Sequence, residues 1–387
     1  MKNWCIPMIE KTKRHRSLLV LIDGLGDDPN RKIGGLTPLA FAATPYIDKL
    51  AADGLVAQTS ICEQDLVPES CSCILRLLGL PTELMPKNRA YLELLAHNRD
   101  ISDADMVLRC NLAVRDDSGR LISFNGSGLT NKKMKQAANV CNKLYEDIKF
   151  FHLSEYRNLL ILKKEHAVLN CKVKPPHESL SESVDELLKE LKSSSKAMAE
   201  LLAEAEKRLE VFNHDGMHYI LYPWGASEKQ TLPSFTSLNG KSGGAVCKAE
   251  IVVGIAKALG MEVITPPTAT GDIDTDVTDK AEAALELLDQ HDFVIAHFNG
   301  SDEAAHRYDA LGKAQFIAKI DQEFLGLVTR VYDGPLRIVV CGDHVTSSVT
   351  GKHGDGPVPI VLGGINGAVA ENIRIDSYRD VIKYLVN

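Results

Sequence analysis

SLLVLIDG, residues 17–24, runs five apolar residues, Leu18 to Ile22, straight into Asp23. A run that is short, unbroken and apolar reads as a strand buried on both faces of a parallel sheet. Two later stretches repeat the pattern: DFVIAHFNGSD at 292–302 and RIVVCGDH at 337–344. Each ends in an aspartate or reaches one within a few residues. Around them lie patterns rich in Ala and Leu that end in turn residues: TPLAFAATPYIDKLAADG (37–54), AEIVVGIAKALG (249–260), DKAEAALELLDQ (279–290) and KAQFIAKIDQEFLGLV (313–328). These read as helices. Strand and helix alternation predicts an α/β layer fold with a mostly parallel sheet flanked by helices. Ligands of such sheets bind beyond the carboxyl ends of the strands, so acidic residues gathered there are candidates by position as well as type.

The middle of the chain changes character. Between Asp116 and Phe235 the sequence predicts a weak strand, NLLILK (158–163), a long polar helical stretch from Glu178 to Phe212, and a second strand, HYILYPW (218–224). The apolar positions of the helical stretch keep no clean heptad, so a surface pair of helices broken near KSSSK (192–196) is expected rather than a coiled coil. This predicts a smaller α+β domain, 116–235, inserted into a discontinuous one made of 1–115 and 236–387.

Composition narrows the function. The 387 residues are 44% hydrophobic and 25% charged, an ordinary globular balance. A net charge of −8 argues against nucleic acid as partner and for a small molecule. Nine cysteines without regular C-x-x-C pairing fit reduced thiols. The basic N-terminus has too short an apolar run for a secretory leader, and no segment has the length of a membrane helix. A cytoplasmic protein without a membrane partner is expected.

The ligand-type residues collect at the strand ends. Asp23 closes the first; Asp302 and His306 in NGSDEAAH follow the second; Asp343 and His344 follow the third; His353 lies in GKHGDGPVP. D-x-x-x-H places both side chains on one face of a helical turn, which suits a shared metal. Mixed carboxylate and imidazole ligands suit Mn²⁺, Zn²⁺ or Co²⁺, and there are enough for two ions, as in phosphoryl transfer. His297, inside the second strand, is expected to be a core or supporting histidine. Ser70, in DLVPESCSCILRLLGL (65–80), falls where a helix begins. A helix N-terminus and a divalent metal would together activate its hydroxyl and receive phosphate. Cys71 and Cys73 beside it raise the further possibility of oxidative control.

DGLGD (23–27), GGLTPLAFAATPYIDKLAADG (34–54), P-x-S before LLG, RCNLAV (109–114), WG (224–225), LPSF (232–235), TGDIDTD (270–276), DEAAH and GDH together resemble the archaeal-type, 2,3-bisphosphoglycerate-independent phosphoglycerate mutases of the alkaline phosphatase superfamily. The resemblance spans nearly the whole chain. It implies an alkaline-phosphatase-like domain with an inserted substrate-capping domain, and interconversion of 3- and 2-phosphoglycerate through phosphoserine at Ser70. It implies one metal among Asp23, Ser70, Asp343 and His344 and another among Asp302, His306 and His353, with Mn²⁺ first and Zn²⁺, Co²⁺ or Mg²⁺ as other candidates, and no 2,3-bisphosphoglycerate cofactor. Arg89, Arg109 and Arg157 stand where the family carries arginines; Lys241 and Lys280 are further candidates for phosphate. The chain departs from the family at Glu69, Cys71 and Ile74 around the serine, at Asp28, and in R-A-Y (89–91). These departures keep open a phosphatase, or a phosphomutase of another small metabolite.

Overall fold

The computed structural model describes residues 15–60, 69–142, 144–368 and 374–387. The extreme N-terminus weighed as a leader, and Asp65 to Pro68 ahead of Ser70, lie outside them. The chain forms two compact units: Met1–Met85 with Leu232–Asn387, and Pro86–Thr231. The first unit opens with β1 (Arg16–Ile22) and β2 (Leu55–Thr59). The second carries β3 (Asp105–Arg115), β4 (Leu121–Ser123), β5 (Lys149–Ser154), β6 (Arg157–Lys163) and β7 (His218–Glu228). The chain then returns to the first with β8 (Gly243–Val246), β9 (Glu262–Ile264), β10 (Phe293–Phe298), β11 (Leu336–Cys341), β12 (Val345–Thr346), β13 (His353–Gly354) and β14 (Val358–Ile365).

The three runs read as buried strands are neighbours at the centre of a seven-stranded sheet, ordered β2-β14-β11-β1-β10-β8-β9. β1 runs parallel to both β10 and β11, pairing Leu21 with His297 on one side and with Cys341 on the other. Only β14 runs against its neighbours, β11 and β2. Ser17 to Ile22 are all buried, because both faces of the sheet are covered. Leu18, Val20, Val294 and Ala296 pack against one side of helix Val277–Gln290, through Val277, Ala281, Ala284 and Leu288 at the helical repeat. Burying each such aliphatic side chain contributes about 1.5–3 kcal/mol. Helix Arg379–Val386 lies against β1 and β11. The parallel arrangement brings the ends of β1, β10 and β11 to one edge, and with them Asp23, Asn299 and Asp343.

The second unit is antiparallel. β3 is central: it pairs along its length with β7 and, on its other side, with β6, and near Arg115 with β4. Helices Val184–Ser194 and Lys196–Leu209 pack on it through Leu188, Leu191, Leu201 and Ala205. The break falls within KSSSK, where the Ser195 hydroxyl accepts the Met198 N–H at 3.3 Å and caps the second helix. The boundary at Pro86 differs from the expected Asp116 because β3, buried along nearly its whole length, pairs with β6 and β7. Arg89 and Arg109 therefore belong to this unit. Among the described residues no helix is long and apolar enough to cross a membrane.

Candidate metal centre

Helix Ser70–Leu77 begins at the serine, and its N-cap residue Glu69 supplies no side-chain cap. Cys71, Cys73 and Ile74 turn inward and are buried, which leaves Ser70 on the accessible side. Its Oγ lies 3.4 and 3.5 Å from the two carboxylate oxygens of Asp23 and 3.3 Å from His344 Nε2. Both neighbouring thiols being buried removes the accessibility that oxidative control would need.

Two ligand groups meet around His344: Asp23, Asp343 and His344, and Asp302, His344 and His353. His306 joins the second, its Nε2 lying 3.2 Å from Asp302 Oδ2 and 3.1 Å from His353 Nε2. His306 Nδ1 is 2.9 Å from the Gly351 carbonyl, which can only accept, so Nδ1 carries the hydrogen and Nε2 faces Asp302. Asp343 Oδ1 accepts the N–H groups of Gly24 and His344, both at 3.0 Å. Its Oδ2 is buried and accepts no hydrogen bond, 3.4 Å from His344 Nε2. An orphaned carboxylate oxygen amid two more carboxylates and three imidazoles is the donor set of a divalent cation site, and these residues fit one.

The electrostatics agree. Burial, and then the Asp23 charge, push the Asp343 carboxyl up to about 6. Burial and Asp302 act on Asp23 in the same direction, but hydrogen bonds from His297 and His344 outweigh them and hold it at about 2. His344 is buried, which disfavours its charge, yet Asp343, Asp23 and Asp302 raise it to about 10. His306 rises to about 9, chiefly through its hydrogen bond to Asp302. In the protein without metal the cluster thus gathers protons as its positive charge.

Three residues outside the expected ligands hold this arrangement. His297, expected as a supporting histidine, is buried with Nε2 3.0 Å from Asp23 Oδ2. Lys313 is fully buried; its Nζ donates to the carbonyls of Gly24 at 2.7 Å and Thr346 at 2.9 Å and pairs with Asp27 Oδ2 at 2.8 Å. It thereby ties the loop after β1 to the loop after β11. The Thr346 hydroxyl lies between Asp302 and His344. The second aspartate of DGLGD, Asp27, was the available signal for a buried cationic partner, but nothing local points to Lys313.

The expected lysines do not join the cluster. Lys280 is buried behind β10, where its Nζ donates to the His297 carbonyl at 2.7 Å and lies 4.9 Å from the Phe298 ring; burial lowers it to about 8. Lys241 precedes β8, whose start is in register with Phe293, so it sits at the edge of the sheet opposite the ligands. The arginines are in the second unit. Arg109, Trp224, Asn111 and Arg157 are cross-strand partners or two residues apart and so share one face of its sheet. Arg109 stacks 4.1 Å above Trp224, and the buried Glu93 lies 3.0 Å from Arg109 Nε and 3.1 Å from Arg89 Nε. Burial lowers Arg109 to about 10. Arg157 is more open, 3.6 Å from Glu155.

Residues 15–377 match the metalloenzyme superfamily. A 2,3-bisphosphoglycerate-independent phosphoglycerate mutase of Metallosphaera sedula is 31% identical, covering 93% of this chain and 91% of that protein. A solved structure of a Pyrococcus horikoshii protein is 25% identical with a TM-score of 0.73, covering 96% and 93% of the two chains. A cofactor-independent phosphoglycerate mutase of Thermoplasma acidophilum shares the fold, with a TM-score of 0.58 at 22% identity over 96% and 98%.

Proposed function

Because the chain belongs to the 2,3-bisphosphoglycerate-independent phosphoglycerate mutases of the metalloenzyme superfamily, we propose that it interconverts 3-phosphoglycerate and 2-phosphoglycerate with Ser70 as the phosphoryl carrier. The observation that carries this reading is the Ser70 hydroxyl, at a helix N-terminus and 3.3 Å from His344 Nε2 within a cluster of ligand-type side chains. Asp23, Ser70, Asp343 and His344 would hold one divalent cation, and Asp302, His306 and His353 a second. Cations held there, Mn²⁺ by preference for such a mixed donor set, supply Lewis acidity that lowers the pKa of the serine hydroxyl and neutralises phosphoryl charge.

The chain's own groups do the rest. Ser70 Oγ forms a bond to phosphorus as the bond from phosphorus to the 3-oxygen breaks, and the serine proton ends on the glycerate hydroxyl so released. The N-terminus of helix Ser70–Leu77 favours the phosphoryl charge that the serine then carries. The glycerate reorients, its 2-hydroxyl attacks the phosphoserine, and Oγ recovers a proton. No bisphosphorylated cofactor is needed, since the enzyme holds the phosphoryl group between the two steps. Arg109 and Arg157, on one sheet face, and Arg89 are suited to the carboxylate and phosphate of the substrate through their planar forks. The same proposal gives 86–231 the part of the substrate-handling unit.

The test is an assay of Mn²⁺-loaded protein on 3-phosphoglycerate, following 2-phosphoglycerate and inorganic phosphate beside Ser70→Ala. Formation of 2-phosphoglycerate that the variant abolishes supports the reading. Free phosphate alone would replace it with hydrolysis.

A further inference from the structure

Thr346 stands two residues beyond His344, fully buried in β12. Its Oγ1 is 2.6 Å from Asp302 Oδ1 and 3.1 Å from His344 Nδ1. A hydroxyl has one proton to give and lone pairs to receive with. The Asp302 carboxylate, facing His306 and His353 as well, is an acceptor, so the threonine proton is committed to it. What Oγ1 offers His344 is a lone pair, and a hydrogen bond there requires the hydrogen to sit on Nδ1. His344 Nε2 is then the nitrogen that faces Asp23, at 3.2 Å, and Asp343, at 3.4 Å, and the one that a cation would take in place of its proton.

The surrounding backbone fixes the hydroxyl in place. The Thr346 N–H donates to the Gly26 carbonyl at 3.0 Å, and its own carbonyl accepts from Lys313. Gly24, at φ +63°, leaves the space the hydroxyl fills: a Cβ there would come within 2.5 Å of Thr346 Oγ1. The glycine that follows Asp23 thus serves a residue more than three hundred positions later.

We propose that Thr346 is a positioning residue that joins the two ligand groups: one hydroxyl anchors Asp302 of one group and sets His344 of the other in its Nδ1–H tautomer. This rests on the reading of both groups as metal ligands. Thr346→Val keeps the shape and removes the hydroxyl, which leaves Asp302 Oδ1 without its donor and the His344 ring without its guide. Thr346→Ser keeps the hydroxyl.

Binding of Mn²⁺ to the wild type, T346V and T346S, followed by the electron paramagnetic resonance of free Mn²⁺, tests this directly. T346V should lose about 10–100-fold in affinity, the usual cost of removing a partner that orients a ligand, while T346S binds as the wild type does. Wild-type affinity in T346V, or an equal loss in T346S, overturns the proposal. Wild type that takes up no Mn²⁺ overturns the metal reading and the proposal together, whereas uptake unaffected by T346V overturns the proposal alone. Should T346V fail to fold, wild-type protein labelled with ¹⁵N-histidine and loaded with Zn²⁺ decides the matter: His344 should show a protonated Nδ1 and a metal-bound Nε2, and the reverse assignment overturns it.

Discussion

At the scale of single residues, the cluster is held by buried polar groups that satisfy one another, Asp343 Oδ2 excepted. Lys313 is the clearest case, since its ammonium serves the Gly24, Gly26 and Thr346 carbonyls and the Asp27 carboxylate at once. Lys313→Met would leave those acceptors buried and unpaired, and should cost about 3–5 kcal/mol in urea unfolding; a loss below about 1 kcal/mol would refute the assignment. The histidines make a second prediction. His306 and His344 are raised to about 9 and about 10 without metal, and a metal needs their Nε2 unprotonated. Each proton displaced lowers apparent affinity by about tenfold per unit of falling pH, so Mn²⁺ should bind at least ~100-fold more tightly near pH 8.5 than near pH 6.5. A flat profile would show that no proton is displaced from those imidazoles. The ligand-type residues were legible in the sequence because a strand end is local and an aspartate or histidine there is conspicuous. Thr346 and Lys313 were not, because a hydroxyl or an ammonium acquires its role only from chain segments hundreds of residues away. Lys241 and Lys280 show the converse: charge type alone does not tell which edge of a sheet, or which side of a strand, a residue occupies.

At the scale of elements, the three apolar runs declared the sheet because strands buried on both faces have few other readings. Their adjacency, β11-β1-β10, followed from pairing that no local pattern encodes. β3 was hidden because Arg109 and Asn111 interrupt its apolar pattern. Helix Pro45–Asp53 is another element with a distant dependence. Its N-cap residue Thr44 makes no side-chain cap, and its first N–H groups are served instead by Asp321, which accepts from Ile47 at 2.7 Å and Tyr46 at 3.2 Å. Asp321 is fully buried within a π-helical segment, Ile320–Leu325, whose wider turn interrupts the run of α-helix between Ala310 and Val331. Asp321→Ala should destabilise the fold by about 2–4 kcal/mol, the combined loss of a cap and two buried acceptors. Asp321→Asn, which keeps one acceptor, should fall between. Thermal unfolding of the two variants checks the order, and indistinguishable melting would remove Asp321 as the cap.

At the scale of the whole molecule, ligand-type carboxylates and imidazoles belong to one compact unit and the candidate substrate arginines to the other, a division that predicts separable defects. Arg157→Ala, at an open position, should lower kcat/KM by about 10²-fold with Mn²⁺ binding intact. Asp302→Asn should weaken uptake of the cation held with His306 and His353, and a matching loss of Mn²⁺ affinity in the arginine variant would contradict the division. The two units also differ in how their sequences are spent. Residues 86–231 are contiguous, whereas β1 lies between β10 and β11, which follow it by some two hundred and seventy positions or more. A ribosome adding about 5–20 residues per second needs roughly 15–60 s to span that gap. Throughout that time the Leu18–Ile22 strand waits without either neighbour, and residues 86–231 are complete before the first of them is made. The order of synthesis therefore makes β10 and β11 late to join the strand that carries Asp23, and leaves the apolar Leu18–Ile22 strand unpaired until they emerge.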